Sequence, residues 1–315
     1  MTDTVCDIRW GTYTCVQWDE LLKKCPHSTL LQSYYYAQAM RDVKQQVVKQ
    51  GIILIDGIEA GVMQAQEVGL FGKIIHAISI DRGPLWFDGF GQSEHLNLVA
   101  EQLNKAFPKR MGRKRRFIFE YYRKNKHAIM GRLDINQGIS NYKTFLVDLN
   151  DNIDDIRSNL KKKWRNILNK SEKSDLSVQI DLKIATLSAL LRNYVQDRMQ
   201  KGYSGASPKF LASLAKYAAR NHQCIIMNAS EGNVIIASVM IFVHGGGATY
   251  QVGWTTPHGR DKGAHHLLLW EAIKFLKNNG VTEFDLGGHN DETDGIRLFK
   301  SGLGGQEITL IGSYN

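Results

Sequence analysis

The residues best suited to chemistry gather near the carboxyl end of this 315-residue chain. Lys300 stands between Phe299 and Gly302-Leu-Gly-Gly305, Asp285 lies in the alternating segment Thr282 to Gly288, and His289 follows that segment's glycine pair. A lysine ammonium is a compact point charge that can hold an anion; its plain alternative is a helix-end lysine bonding carbonyls. Asp285 and Glu271 could accept or relay a proton from an amine, although a carboxylate at a strand end also serves as a cap. Arg297 is three residues before Lys300 on the same helical face, where it could bind a phosphate or lie exposed. His289 could line a cleft, but lone histidines are mostly surface or structural. His265 and His266 are adjacent, hence on different helix faces, and form no metal site. Cys6, Cys15, Cys25 and Cys224 include no C-x-x-C pair, so neither a zinc knuckle nor a redox motif is offered. No Ser/His/Asp or Cys/His signature is present. His244-Gly-Gly-Gly247 would need a G-x-S-x-G elbow to act as an oxyanion hole; without one it reads as a hairpin turn.

Charge supplies a second kind of candidate. The net charge is +9, yet Lys109 to Lys126 holds nine basic residues and one acid, and Arg157 to Lys173 seven and one, leaving the remainder near −5. A concentrated positive field suits an anionic partner such as nucleic acid, a nucleotide-linked sugar or a phospholipid head group, or it is a solvated loop and helix face. The Lys109 to Arg116 cluster would suit the phosphates of a nucleic acid, with steep salt dependence. Trp164, Ile167 and Leu168 have core spacing within the second stretch, which favours packing over base stacking.

The elements that must position these groups follow from length and periodicity. The length suggests two domains, and 43% hydrophobic with 23% charged residues excludes disorder and disulfide scaffolds. The longest apolar run, Val234 to Val243, is too short to span a bilayer, and Asp3, Asp7 and Arg9 occupy the place of a signal peptide's apolar stretch; a cytoplasmic protein, with peripheral membrane contact at most, is expected. Two segments read as hairpins, one turning at Asp56-Gly57 and one at Glu231-Gly232-Asn233. Each follows a helical segment, Tyr34 to Val47 and Lys209 to Arg220, the latter opened by Ser207-Pro208. Two similar α/β (α+β) halves are expected, residues 1–149 and 150–315, with mixed sheets flanked by helices. The last strand, Glu307 to Ser313, could pair back with the first half.

In the second half, a strand from Ala248 to Trp254, a helix from Gly263 to Asn279 and the Phe284-Asp-Leu strand follow in the order of the acetyltransferase (GNAT) fold. That fold's cofactor loop, Arg/Gln-x-x-Gly-x-Gly/Ala, holds a pyrophosphate on backbone N–H groups. Arg260-Asp-Lys-Gly263-Ala-His265 matches it in part, with His265 where Gly or Ala is needed, which suggests a retained shape with a changed donor.

Across most of its length the chain resembles the Fem-type (FemABX) non-ribosomal peptidyltransferases, built from two GNAT-like domains. The resemblance rests on Leu30-Leu-Gln-Ser33, the Asp56-Gly57 hairpin, Ile80-Asp-Arg-Gly-Pro84, Lys163 to Lys173, Phe284-Asp-Leu-Gly-Gly, Gly295 to Gly305 and Ile311-Gly-Ser-Tyr314. It implies amide formation, an amine of a peptidoglycan-precursor-like acceptor attacking an aminoacyl ester on tRNA, with no further cofactor. It implies that Lys300 holds the oxyanion. Arg82, Arg165 and Lys170, from matching segments, with Arg297, are the candidates for acceptor phosphates; the plain readings are that Arg82 holds the Gly83-Pro84 turn and that Lys161 to Lys173 is a solvated face. Two rivals remain: an N-acyltransferase using acyl-coenzyme A through Arg260, Gly263 and His265, and a non-catalytic nucleic-acid-binding module.

Overall fold

Both hairpins form, and each lies one strand in from the edge of a mixed seven-stranded sheet. The computed structural model describes residues 4–70, 75–122, 142–289 and 294–315. Contacts divide the chain into residues 1–143 with 308–315, and residues 144–307.

The first unit contains β1 (Cys6–Gly11), α1 (Cys15–Lys23), α2 (Tyr34–Lys44), β2 (Val47–Ile55), β3 (Ile58–Leu70), β4 (Ile75–Asp81), β5 (Leu85–Trp86), α3 (Ser93–Ala106) and β6 (Arg113–Ile118). Asp56 and Gly57 both take positive φ, 50° and 79°, the turn that matches strand twist and closes β2 onto β3. Ser33 caps α2 by accepting from Tyr36 N, and the helix ends three residues short of the expected Val47 because Gln45 turns left-handed. Leu96, Val99, Ala100 and Leu103 bring α3 onto Ile53, Ile78, Ile80 and Phe117 of the sheet. Trp18 and Leu22 bring α1 onto Ile52, Val62 and Leu85.

The second unit contains β7 (Lys143–Asp148), α4 (Ile153–Ser158), α5 (Lys162–Ser171), β8 (Leu176–Asp181), α6 (Leu187–Lys201), α7 (Pro208–Ala218), β9 (Cys224–Glu231), β10 (Val234–His244), β11 (Gly247–Thr255), α8 (Pro257–Asp261), α9 (Ala264–Asn278), β12 (Glu283–Asp285) and α10 (Asp294–Ser301), followed by β13 (Gln306–Thr309) and, at the chain's end, β14 (Ser313–Tyr314). Ser207 caps α7 with Pro208 in its first turn, as the sequence indicates. The apolar face of α9 covers the sheet through Leu268, Ala272, Ile273 and Leu276, with Met227, Val239 and Phe284 beneath.

The two sheets repeat one plan. Their orders are β1-β2-β3-β4-β6-β14, with β5 on β3, and β13-β7-β12-β11-β10-β9-β8. In each, one strand precedes two helices and an antiparallel three-strand run, and a helix then leads to a parallel partner, β6 on β4 and β12 on β11. An antiparallel strand completes each, but from the opposite end of the plan. β7 precedes the second repeat and pairs with β12, Asp148 opposite Glu283, while β14 ends it and pairs with β6, Ser313 opposite Ile118. The expected boundary at 149/150 therefore falls too late: β7 belongs to the second sheet, and residues 308–315 to the first unit.

One buried side chain fastens the first unit. Gln32, fully buried, donates through Nε2 to Asp81 O at 2.8 Å and accepts through Oε1 from Gln64 N at 2.6 Å. A Cβ on Gly83 would lie 2.9 Å from this amide, so the Leu-Leu-Gln-Ser and Arg-Gly-Pro segments are two sides of one contact. Gln32→Leu leaves a buried N–H and a buried carbonyl without that partner; a loss of about 2–4 kcal/mol is expected, read as a fall of roughly 5–15 °C in the first unit's calorimetric transition. An unchanged transition would remove Gln32 from this role.

Candidate active site

The sequence pattern of α10 dictates where Lys300 goes. Phe299 meets His265 and His266 edge-on, with ring centroids 5.4 and 5.0 Å away, and lies 6.3 Å from Trp164 of α5. Behind it Gly302 abuts α5 so closely that a Cβ would come within 2.4 Å of Trp164 Cδ1, and its carbonyl accepts from Lys161 N at 3.0 Å. Gly304 takes φ +79° against Asn159. The glycines of the Gly-Leu-Gly-Gly segment thus let the chain after α10 lie flat on α4 and α5, and the aromatic wedge fixes the helix's rotation.

Lys300 is consequently only 7% exposed. Its Nζ donates to Gly287 O at 2.8 Å and Gly288 O at 2.9 Å, and lies 6.0 Å from the centre of the Tyr250 ring. An ammonium has three N–H groups; two are used, and among the described residues the third is left for another acceptor. Burial lowers the lysine pKa from its ordinary 10.5 to about 8, with the nearby Asp285 charge opposing the fall.

The glycine carbonyls are aimed by the end of β12. β11 and β12 pair in parallel only from Gly247/Glu283 to Thr249/Asp285, and β11 continues to Thr255 paired with β10 but not with β12. At that parting Asp285, 2% exposed, accepts from Thr144 Oγ1 at 2.5 Å and from Gly287 N at 2.8 Å. Thr144 Oγ1 also lies 3.0 Å from Gly287 O, but its single proton goes to the carboxylate, the stronger and closer acceptor. Asp285 thus holds the turn that carries the two carbonyls. Thr144 and Tyr250 carry no motif and were not singled out in the sequence. The register shift after Met240, which leaves Gln251 unpaired beside Tyr250, is likewise invisible to periodicity.

The other candidates do not gather around Lys300. His265 exchanges a 2.8 Å hydrogen bond with Tyr250 Oη, and burial holds its pKa down at about 4, so its ring is neutral. His266 packs on Trp164, its centroid 4.7 Å away, and burial lowers its pKa likewise to about 4. Gly263 is left-handed at φ +69° and caps α9. Arg260 is exposed on α8. Arg297 forms a forked pair with Glu307, at 3.0 and 3.1 Å, and His289, stacked on Phe145, lies 3.3 Å from the same carboxylate. Glu271 is committed to Lys274 one turn away. Arg165 donates to Ser158 O on the outside of α5, and Lys170 is exposed there, while Trp164 and Leu168 form its buried face as expected. In the first unit Arg82, 3% exposed, is forked onto Glu120 at 2.7 and 2.8 Å. Burial alone would raise the Glu120 pKa; Arg82 and a bond from His27 outweigh it and hold it near 2. The plain reading of Arg82, a turn-holding residue, is the one its partners favour. Asn290 and Asp291 lie outside the described residues, as do Arg123 to Lys126 of the first basic stretch. No cluster able to hold a metal ion occurs among the described residues, nor any helix long and apolar enough to cross a membrane.

The loop before α9 does not fit a pyrophosphate. Gly263 and Ala264 are buried, and a Cβ on Gly263 would already meet Ile167 Cγ2 of α5 at 2.7 Å. Ser171 of the same helix donates to Gly263 O at 3.1 Å. With α5 laid across the helix start and the His265 ring beside it, the amides that hold coenzyme A in this fold are covered.

These features define a tandem arrangement of the GNAT-type fold. Residues 155–295 match the acetyltransferase (GNAT) domain family. The fold of the whole chain is that of the crystal structure of FemX, which it matches with TM-score 0.78 at 14% identity, over 97% of this chain and 96% of that one. A conserved protein of unknown function from Bacteroides thetaiotaomicron matches with TM-score 0.65 at 12% identity, over 98% of each chain. A tandem GNAT protein from the clavulanic acid biosynthesis pathway matches with TM-score 0.50 at 8% identity, over 98% of this chain and 97% of that one. No curated protein matches the sequence significantly. The Fem-type resemblance carried by the short motifs is thus also a resemblance of the entire fold.

Gly253 tests the packing beside the lysine. A Cβ there would come within 1.8 Å of Tyr250 Oη and 2.4 Å of His265 Cε1. Gly253→Ala is expected to break the tyrosine–histidine bond and destabilise the second unit by about 1–3 kcal/mol, measured by thermal melting. Gly295→Ala, in open space on α10, should leave stability level or slightly raised.

Proposed function

We propose that this protein is an aminoacyltransferase that forms an amide between the acyl group of an aminoacyl-tRNA and the amino group of a peptidoglycan-precursor-like acceptor. The amine nitrogen attacks the ester carbonyl carbon, the carbonyl oxygen carries the charge of the tetrahedral intermediate, and collapse releases the ribose hydroxyl. The proton lost by the amine leaves with that oxygen, so no covalent enzyme intermediate and no metal is needed. The observation that carries this reading is the Lys300 ammonium, buried, fixed by two carbonyls and left with one N–H among the described residues. Such a donor costs no reorganisation when the charge develops.

For the acceptor, support comes from the first unit. A cleft of about 250 Å³ is walled by Trp86, Phe87, Phe90, Tyr121 and Tyr122, with His27 and Glu120 also lining it. Flat aromatic walls with a few fixed polar groups suit a sugar-peptide better than a cluster of phosphates. The acyl-coenzyme A alternative draws on the GNAT family match, but the covered start of α9 speaks against it.

Incubation with a charged tRNA pool and an amine-bearing precursor should discharge the ester and add an aminoacyl mass to the acceptor. Lys300→Ala should slow this by about 10²–10³, as loss of one oxyanion donor does. The sign of the pH effect follows from the lowered pKa: the useful ammonium is present below about 8 and lost above it, so the rate should fall as pH rises through about 8. Lys300→Arg, always charged, should abolish that limb even where its rate is low. A thermal shift with acetyl-coenzyme A and no tRNA discharge would instead establish the alternative.

A further inference from the structure

The first basic stretch does not behave as a solvated loop. Residues 109–116 contain six basic residues and no acid. Lys109, Arg110, Arg113, Lys114 and Arg115 line, with Asn315, a cleft of about 650 Å³ in the first unit. Arg116 is outside this set, forked onto Asp81 at 2.8 and 3.0 Å.

The cleft has a braced floor. Arg113 donates through Nε to His76 Nδ1 at 2.9 Å and through Nη1 to Pro108 O at 2.9 Å. Because Nδ1 accepts, the imidazole carries its proton on Nε2, which faces Glu67 Oε1 at 3.1 Å; Lys49 Nζ lies 3.2 Å from the other oxygen. Arg115, 7% exposed, donates through Nη1 to Asn104 Oδ1 at 2.7 Å and Phe107 O at 2.8 Å, and stands over the Phe117 ring. Two guanidinium planes are therefore fixed in orientation, while Lys109, Arg110 and Lys114 are exposed above them. Burial and the neighbouring Arg110 charge both lower the Arg113 pKa, which shows like charges held close together.

We infer that this cleft is a docking site for the phosphate backbone of RNA, and that the RNA is the tRNA bearing the donor ester. The choice of tRNA rests on the function proposed above; the phosphate chemistry does not. The exposed cations Lys109, Arg110 and Lys114, gathered round the braced Arg113, present several positive charges to successive phosphates of one backbone. A bilayer is the competing anionic surface. Its head groups form a plane, which a concave cleft does not meet, and membrane docking needs an apolar face, whereas the one fully exposed hydrophobic residue beside the cleft is Met111.

The test measures binding of unacylated tRNA to the full chain over a range of KCl concentrations, with Lys109→Ala/Arg110→Ala/Lys114→Ala as the variant, since these side chains are exposed. Loss of three phosphate contacts should weaken binding by at least ~10-fold and flatten the slope of log K against log salt by about 2–3. Unaltered affinity and slope would overturn the inference. So would tRNA binding that persists while co-sedimentation with vesicles of anionic phospholipid is lost, which would make the cleft a membrane site. Should the variant melt early, protection of Lys109 and Lys114 from acetylation by bound tRNA in the unmodified protein gives the same answer, unprotected lysines overturning it. An effect of the triple variant on binding, in a protein that never discharges charged tRNA, would uphold the cleft and reject the transfer reaction.

Discussion

An ammonium taken out of water is costly unless oxygen atoms replace its hydration. In this protein Lys300 meets that demand, among the described residues, with two backbone carbonyls rather than with a carboxylate in direct contact. The distinction matters for chemistry. A carboxylate in contact would neutralise the charge and hold it firmly protonated, whereas carbonyl dipoles fix the position and leave a full positive charge available to a new anion. Much of the surrounding architecture follows from keeping those carbonyls in place. Asp285, held by Thr144, ties the turn at Gly287, and Phe299 against the paired histidines fixes the helix that delivers the lysine.

The same arrangement bears on the donor proposed above. In the GNAT plan the parting of two parallel strands and the start of the following helix together receive a nucleotide cofactor. Here the parting of β11 and β12 is retained, but α5 lies over the helix start, and the space beside Gly253 is filled by the Tyr250 hydroxyl and the His265 ring bonded to it. Beside this packed helix start, the strand ends still present the Lys300 cation.

Much of this was legible in the residues. The turns at Asp56-Gly57 and Glu231-Gly232-Asn233, the Ser207-Pro208 helix start and the glycine pair after Leu286 each impose a local conformation that no other residue provides as well, and each was read correctly. Phe299 and the following glycines, a packing signature as well as a motif, likewise mark Lys300 as a side chain held in a fixed place. The arginines were harder. Arg82 and Arg297 look like anion binders in sequence, but their partners Glu120 and Glu307 come from distant segments, 38 and 10 residues away, and composition cannot show that a charge is already matched. Thr144 was hidden for a related reason: it meets Asp285 across 141 residues of chain. Pairing of the chain's end with the first half was open to the sequence, and Ser313–Tyr314 makes it, but β7 is too short to carry a pattern that names β12 as its partner.

The central claim is that Lys300 is a desolvated ammonium set on two carbonyls, and it can be observed without any substrate. Folded protein labelled with nitrogen-15 in lysine, compared with Lys300→Met to assign the signal, reports the ionisation of this one side chain by NMR as pH is raised. A midpoint near 8 that falls further in Asp285→Asn, where the opposing charge is gone, is the result expected from the geometry. A midpoint at the ordinary lysine value near 10.5, insensitive to Asp285, would place the ammonium in water and contradict the account.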